Sequence, residues 1–210
     1  MAGVSESIVR EYIELHGFLV RQRRKFVAPS RAEDEEVDFL VMNPTASPPG
    51  GKLPFVLSST DLQQVGRAVV AIKAWHTDTF TPGVLSNAPE IFRFLDPPVF
   101  KQAAQALGGG AEPLKILVVP ALPQAQEMRE QSVQLLRERG VDGVLPFQTM
   151  LGDLIAQIET NRNYLKSDLL QIIRILKNYD FFREPQMELF KPRRPRKPAE
   201  KPLPTPGEVQ

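Results

Sequence analysis

The sequence predicts a mixed α/β domain in which a helix is followed by three consecutive strands, a helical region and a fourth strand. Apolar runs bounded by Pro and Gly clusters indicate strands at 18–27, 36–42, 68–75 and 114–121. Doubly wound domains place a helix after nearly every strand. The observed order therefore indicates a three-strand meander followed by a crossover to the fourth strand.

The first helix is predicted at 5–16, where apolar residues from Ile8 to Leu15 recur mostly on one face. Ser5 can cap its start, and Gly17 is expected to end it.

Further elements are predicted between the third and fourth strands and after the fourth strand. Helical material is expected at 87–95 and 97–107, then a helix at 125–139, a short strand at 144–147, and C-terminal helices at 147–160 and 165–179. The last helix is apolar on more than one face, between Leu165 and Leu176, so it needs cover from the sheet or from another subunit.

A change in composition divides the chain into a domain at 1–187 and a tail at 188–210. The segment KPRRPRKPAEK, from Lys191 to Lys201, carries six positive residues and one negative residue among repeated prolines. Such a composition cannot form a core, so we expect a disordered, basic, Pro-rich tail. Its arginines, Arg193, Arg194 and Arg196, are candidate contacts to nucleic-acid phosphates. A solely solubilising tail is the alternative.

The composition excludes several classes of site. The chain of 210 residues has no cysteine and two histidines, which excludes disulfides and thiolate metal sites. No apolar run reaches the ~18 residues of a membrane span, and the start MAGVSESIVREYI does not resemble a signal peptide. A cytoplasmic protein without a membrane partner is expected. Neither a GxxxxGK[ST] loop nor a GxSxG elbow is present.

Two charged residues interrupt the apolar strands. Because strand side chains alternate, Val37, Phe39 and Val41 are predicted to share one face of the second strand, and Asp38 lies on the other. Lys73 lies in the third strand on the face of position 71. If these strands are neighbours, Asp38 and Lys73 can meet in the sheet.

These residues and the order of elements resemble the PD-(D/E)XK nuclease superfamily, the restriction endonuclease-like fold that includes Holliday-junction resolvases. The family core is a helix, a three-strand meander, a helix and a strand, and the likeness covers about residues 5–122. Val37-Asp38 matches the PD element, and Ala71-Ile72-Lys73 matches the (D/E)XK element. Glu6 occupies the position of a further acid that resolvases carry on their first helix. The resemblance implies that Asp38, Lys73 and Glu6 are catalytic residues of a Mg²⁺-dependent nuclease.

The chain departs from the family pattern at Ala71, because the family has an acid there that binds the metal. The remaining carboxylates of Asp38 and Glu6 would leave a weak Mg²⁺ site or none. Some members of the family take the missing acid from a nearby helix, and Glu90 or Asp78 could supply it. A glutamate introduced at position 71 is expected to restore a second carboxylate without moving the backbone.

Each of these residues also has a structural interpretation. Asp38 and Lys73 can form an ion pair that fixes strand register, and Glu6 can be an ordinary first-turn acid. His76 is either a phosphate contact or a histidine bonded to a neighbouring group. The cations Arg21, Arg23, Arg24 and Lys25 alternate along the first strand, which is either a solvated face or a phosphate-binding one.

The sequence therefore supports two hypotheses. The first is a nuclease-fold pseudoenzyme with a degraded metal site that acts by binding nucleic acid or a protein partner. The second is an active Mg²⁺-dependent nuclease with a relocated acidic ligand. Because nuclease-fold proteins often pair, a homodimer through 147–182 is expected in either case.

Overall fold

A computed structural model of the chain describes residues 2–22, 36–47 and 51–182, and these residues contain a five-stranded mixed sheet in the order β1-β2-β3-β4-β5. The strands are β1 (Leu19–Gln22), β2 (Phe39–Met42), β3 (Arg67–Ile72), β4 (Leu114–Val119) and β5 (Gly143–Pro146). The strand β2 runs antiparallel to both of its neighbours, β1 and β3, whereas β3, β4 and β5 are parallel to one another. The predicted meander and crossover are thus present.

Seven α-helices accompany the sheet in the described part of the chain. They are α1 (Ala2–Leu15), α2 (Ser59–Leu62), α3 (Pro82–Asn87), α4 (Pro97–Ala106), α5 (Gln126–Glu138), α6 (Phe147–Gln157) and α7 (Asp168–Asn178). Two 3₁₀ turns, Pro89–Ile91 and Arg93–Leu95, lie between α3 and α4. No helix among the described residues is long and apolar enough to cross a lipid bilayer.

The sheet separates two apolar clusters because alternate strand residues point to opposite faces. Val70 of β3 lies in one cluster, which is covered by α1, α6 and α7. Val69 and Ala71 lie in the other, which is covered by α3, α4, α5 and the 3₁₀ turns. We call these the α1 face and the α4 face. Burial on both faces explains why the central strands read as nearly continuous apolar runs.

The end of α1 follows the sequence prediction closely. Gly17 has a φ of 84°, in the left-handed region that glycine adopts without strain. The N–H of Phe18 donates to the carbonyl of Ile13, and that of Gly17 donates to Glu14. This is the Schellman arrangement that ends a helix, and it directs the chain into β1.

The start of α1 differs from the prediction. The helix begins at Ala2, so Ser5 lies inside it and does not cap its start. Ser5 is 3% exposed, because it lies on the covered side of the helix. The predicted cap was wrong because the helix extends one turn further toward the N-terminus than its apolar pattern.

Other boundaries also shift. The strands β2 and β3 are shorter than predicted, and α7 begins at Asp168 instead of residue 165. The region 87–95 forms the two 3₁₀ turns instead of one helix. The prediction missed α3, which Thr81 caps by accepting a hydrogen bond from the N–H of Val84. It also missed the single turn of α2 between β2 and β3. The tail at 188–210 lies outside the described residues.

The predicted alternation of faces fails at the start of β2. Phe39 pairs with Val70, yet the N–H of Asp38 also donates to the carbonyl of Val70 at 3.0 Å. Asp38 and Phe39 thus both lie opposite Val70, as in a β-bulge. The extra residue reverses the sheet face on which the residues before it lie. Val37 consequently packs on the α4 face, whereas Phe39 packs on the α1 face. The prediction that Val37 and Phe39 share a face was wrong.

A glycine-rich loop after α4 surrounds the side chain of Arg67 at the start of β3. The guanidinium donates to the carbonyls of Gly108, Gly109 and Ala111 at 2.6–3.1 Å. A β carbon on Gly110, whose φ is 133°, would collide with this guanidinium. The loop and the arginine therefore fix the crossover that leads from β3 to β4.

Candidate functional site

The ammonium group of Lys73, at the end of β3, faces the carboxylate of Glu36. Nζ of Lys73 lies 3.7 Å from Oε2 of Glu36, and both side chains are 15% exposed. Arg93, in the second 3₁₀ turn, lies 3.4 Å from the other carboxylate oxygen. Glu36 therefore sits between two cations and forms an ion pair with each of them.

Glu36 was not identified from the sequence, although a signal for it existed. Glu36 and Asp38 are two residues apart, so simple alternation would have put both acids on one face of an extended strand. The sequence prediction named Asp38 and omitted Glu36.

The carboxylate of Asp38 is held by the backbone of the neighbouring strand. Its Oδ2 accepts a hydrogen bond from the N–H of Ile72 at 2.6 Å. The expected adjacency of β2 and β3 is confirmed. The expected pairing of Asp38 with Lys73 stays a prediction. At this point the bulge interrupts the regular backbone hydrogen bonds between β2 and β3. The carboxylate of Asp38 takes the place of a backbone acceptor for the N–H of Ile72.

Ala71 is fully buried within the apolar cluster of the α4 face. It is 0% exposed and shares that cluster with Val37, Val69 and Leu117. A glutamate at this position would extend into packed apolar side chains, where ionised groups are strongly disfavoured. The expectation that an acid fits here without moving the backbone therefore conflicts with the packing.

Glu6 lies on α1, the helix that covers the face opposite to Ala71. Its Oε2 accepts a hydrogen bond from Nε2 of Gln22, at the end of β1, at 2.7 Å. Glu90 lies in the first 3₁₀ turn, on the α4 side of the sheet. In residues 2–22, 36–47 and 51–182, no three His, Asp or Glu side chains form a group able to hold a metal ion. Metal binding by Asp38, Glu6 and Glu90 stays a prediction.

His76 connects the end of the β3 segment to two helices of the α1 face. Its Nε2 lies 2.9 Å from Oγ of Ser5. Its ring packs edge-on against Phe147 of α6, with the centroids 4.6 Å apart. These contacts favour the structural interpretation of His76, and its role as a phosphate contact stays a prediction.

A cluster of polar side chains that the sequence did not reveal lies between α1 and α6. The hydroxyl of Tyr12 donates to Asp153 at 3.1 Å, and burial raises the pKa of Tyr12, assisted by that carboxylate. His16 packs edge-on against Tyr12, and its Nε2 is buried without a hydrogen-bond partner among the described residues. Burial lowers the pKa of His16, while the charge of Asp153 opposes this effect. This cluster places two titratable groups of α1 against a carboxylate of α6.

Among the candidate phosphate contacts, Arg21 is exposed on β1 and its Nη1 reaches the carbonyl of Ala106 at 3.5 Å. The remaining candidates, Arg23, Arg24, Lys25, Arg193, Arg194 and Arg196, lie outside the described residues.

The described residues also form a surface cavity of about 470 Å³. Arg67, Lys101 and the glycines at 108–110 line part of it, and it contains none of the candidate catalytic residues.

Comparisons of this chain with protein families, curated proteins and solved structures find no match. By its fold, the chain is a mixed α/β protein. Its candidate site is a partly buried network of ion pairs at the junction of β2 and β3.

Proposed function

We propose that this chain is a nuclease-like α/β protein that binds nucleic acid without cutting it. The main support for the proposal is the set of contacts made by Lys73 and Asp38, the two expected catalytic residues. Lys73 is paired with Glu36, and Asp38 accepts a hydrogen bond from the backbone of Ile72. Both groups stabilise the β2–β3 junction, which leaves them poorly suited to hold a metal and a water molecule.

The order of elements supports the nuclease-like part of this proposal. A helix precedes an antiparallel meander, and a crossover containing α4 leads to β4, which is parallel to β3. This is the element order of the family core that the sequence resembles.

The electrostatics of the site support the absence of cleavage. A metal bound at Glu36 would have to displace the contacts that this carboxylate makes with Lys73 and Arg93. At position 71, where the family has its second carboxylate, the chain has a buried alanine in an apolar cluster. Mg²⁺ needs carboxylates that are accessible to it and to the substrate phosphate.

The distribution of positive charge supports nucleic acid as the ligand. Cations are concentrated in the sequence at 21–25 and at 191–201. Clusters of Lys and Arg neutralise phosphates and release counterions, which produces affinity that depends on salt and little on sequence.

Fluorescence anisotropy of labelled DNA and RNA oligonucleotides, measured at several salt concentrations, tests the binding. The triple substitution of Arg193, Arg194 and Arg196 by Gln should weaken binding and reduce the log–log salt slope by about 0.9 for each lost contact to duplex DNA. The matched control replaces Arg129, Arg162 and Lys166 by Gln, since these three residues are exposed in the described part of the chain. A wild-type chain that binds neither DNA nor RNA at low salt would exclude nucleic acid as the ligand and leave a protein partner as the interpretation.

A second candidate function is supported by the position of Glu36. This carboxylate lies beside Lys73, so it could be the relocated acid of an active Mg²⁺-dependent nuclease. Incubation of the wild type with DNA and RNA in Mg²⁺ and in Mn²⁺ separates the two candidates. Under the first proposal no cleavage is expected. Metal-dependent cleavage that is lost in both Glu36→Gln and Lys73→Ala would establish the second.

A further inference from the structure

The surface cavity of about 470 Å³ lies where α4 passes into the glycine-rich loop, and we call it the α4 cavity. Lys101, Ala104 and Gln105 line one side of it, and their spacing of three and four residues places them on one face of α4. Arg67 and the loop residues 108–113 line the rest. Its volume falls within the range of about 300–1,000 Å³ that small-molecule sites occupy.

The side chains around the α4 cavity carry an excess of positive charge. Arg67 and Lys101 are its cations, and Glu112 is the acid among the residues that line it. The carboxylate of Glu112 lies 3.6 Å from Nζ of Lys115, so its negative charge is offset by a cation outside the lining. The charge around the cavity therefore favours an anion as the ligand.

The two cations of the lining can act on such an anion in different ways. The guanidinium of Arg67 is held by carbonyls of the loop at 2.6–3.1 Å, so it supplies a positive charge at a fixed place. The side chain of Lys101 is exposed, and its ammonium makes no hydrogen bond or ion pair with another residue of the described chain. Lys101 therefore has three donors available for a ligand.

The backbone of the loop adds further hydrogen-bond donors. The carbonyls of Gly108, Gly109 and Ala111 point toward the guanidinium. In a trans peptide, the C=O group and the N–H of the next residue point in opposite directions. The N–H groups of Gly109, Gly110 and Glu112 therefore point away from the guanidinium, and they donate to no other residue of the described chain.

The three consecutive glycines leave room for a ligand to reach these donors. A β carbon placed on Gly108 or Gly109 would meet no heavy atom within 4 Å among the described residues beyond its chain neighbours. Because no side chain covers the backbone at 108–110, a ligand oxygen can approach it closely. The loop therefore holds a fixed cation with its carbonyls and leaves N–H groups free.

We propose that the α4 cavity binds a phosphate group. The donors are the ammonium of Lys101, the side-chain amide of Gln105 and the free N–H groups of the loop, and Arg67 contributes its fixed charge. A phosphate has several oxygens that accept hydrogen bonds at once, and backbone N–H groups together with a cation are suited to bind it. This site does not depend on the proposed nucleic-acid binding, because a small phosphate ester carries the same group.

An NMR titration of the isotope-labelled full chain with pyrophosphate tests the site. The amide signals of Gly109 and Gly110 should shift and then saturate. Gln105→Glu places a carboxylate in the cavity and Lys101→Gln removes the free ammonium, so each should weaken pyrophosphate binding by about tenfold or more.

Gln131→Glu on α5 is the matched control for Gln105→Glu. It makes the same charge change at an exposed glutamine that does not line the cavity. Its affinity for pyrophosphate should stay within about twofold of the wild-type value, because salt screens distant exposed charges. Circular dichroism melting checks that each variant is folded.

Two oligonucleotides of one sequence, with and without a terminal phosphate, identify the source of the phosphate group. Tighter binding of the phosphorylated one, lost in Gln105→Glu, would assign the cavity to the end of a nucleic acid. Equal binding of the two, together with pyrophosphate binding, would assign it to a small phosphate ester.

The site would be overturned if the signals of Gly109 and Gly110 stayed unshifted with pyrophosphate and with both oligonucleotides. Equal pyrophosphate affinities of the wild type and the folded Gln105→Glu variant would also overturn it. Failure of the unphosphorylated oligonucleotide to bind at low salt counts against the proposed function alone, since that ligand lacks the terminal phosphate.

Discussion

Nζ of Lys73 lies 3.7 Å from Oε2 of Glu36, so an acid that precedes β2 is linked to a base that follows β3. Asp38 and Ile72 make a second link between the same two segments. Both links lie where the regular pairing of β2 and β3 has ended. The charged residues within these apolar runs therefore complete the sheet where its backbone ladder stops.

We expect Glu36→Gln to lower the free energy of unfolding by about 1–3 kcal/mol, because it removes the negative charge of a carboxylate that pairs with a largely buried ammonium. Urea denaturation measures the change. Glu14→Gln is the control, because its ion pair with Arg10 is exposed and should contribute less than about 0.5 kcal/mol. A coupling energy near zero in the Glu36→Gln/Lys73→Met double-mutant cycle would contradict the link.

We expect Ala71→Glu to lower the free energy of unfolding by about 3 kcal/mol or more, since it adds volume and a charge to a packed apolar cluster. Ala156→Glu, on the exposed side of α6, should change it by less than about 0.5 kcal/mol. Urea denaturation measures both variants. If Ala71→Glu is as stable as the wild type and binds Mn²⁺ in calorimetry, position 71 would belong to an open metal site.

The partly buried ring of His16 predicts a loss of stability at mildly acidic pH. Its folded-state pKa is lowered by burial, so between that pKa and the unfolded value near 6.5 the unfolded chain binds more protons. Stability is therefore complete above about pH 6.5 and decreases as the pH falls toward the folded-state pKa. His16→Phe keeps an aromatic ring against Tyr12 and removes the titration. Urea midpoints at pH 7.5 and 5.5 should differ less in this variant, and an unchanged difference would exclude His16 as the source.

Lys177 should stabilise the end of α6. We expect Lys177→Met to lower the free energy of unfolding by about 1–3 kcal/mol, because the carbonyls of Ile155 and Ile158 lose a charged donor. Lys166→Met, at an exposed lysine in the preceding loop, should have little effect. Thermal melts of the two variants provide the comparison. Equal melting temperatures would show that the donor contributes nothing.

Much of the architecture could be predicted because its signals are local. The apolar runs of β3 and β4 are bounded by turn residues, and Gly17 supplies the backbone conformation that ends α1. The order of these elements is then sufficient to indicate the meander and the crossover.

The details of the candidate site could not be predicted because they depend on long-range geometry. The double pairing at Val70 changes the face of Val37, and no sequence pattern marks it. The contact of Lys73 with Glu36 depends on where β2 begins, and strand boundaries are the least certain part of a sequence prediction. Ser5 was predicted to cap the start of α1, whereas it is buried inside the helix. Its burial depends on packing against other elements, which local sequence does not reveal.

The carbonyl oxygens around Arg67 have a consequence for how this sequence can evolve. A side chain at position 110 would occupy the space of the guanidinium, and a shorter residue at position 67 would leave three carbonyls without their donor. Each change alone would break the contact between the loop and the start of β3. We therefore expect Arg67 and Gly110 to be inherited together in descendants of this sequence, and to be lost together where the crossover is rebuilt.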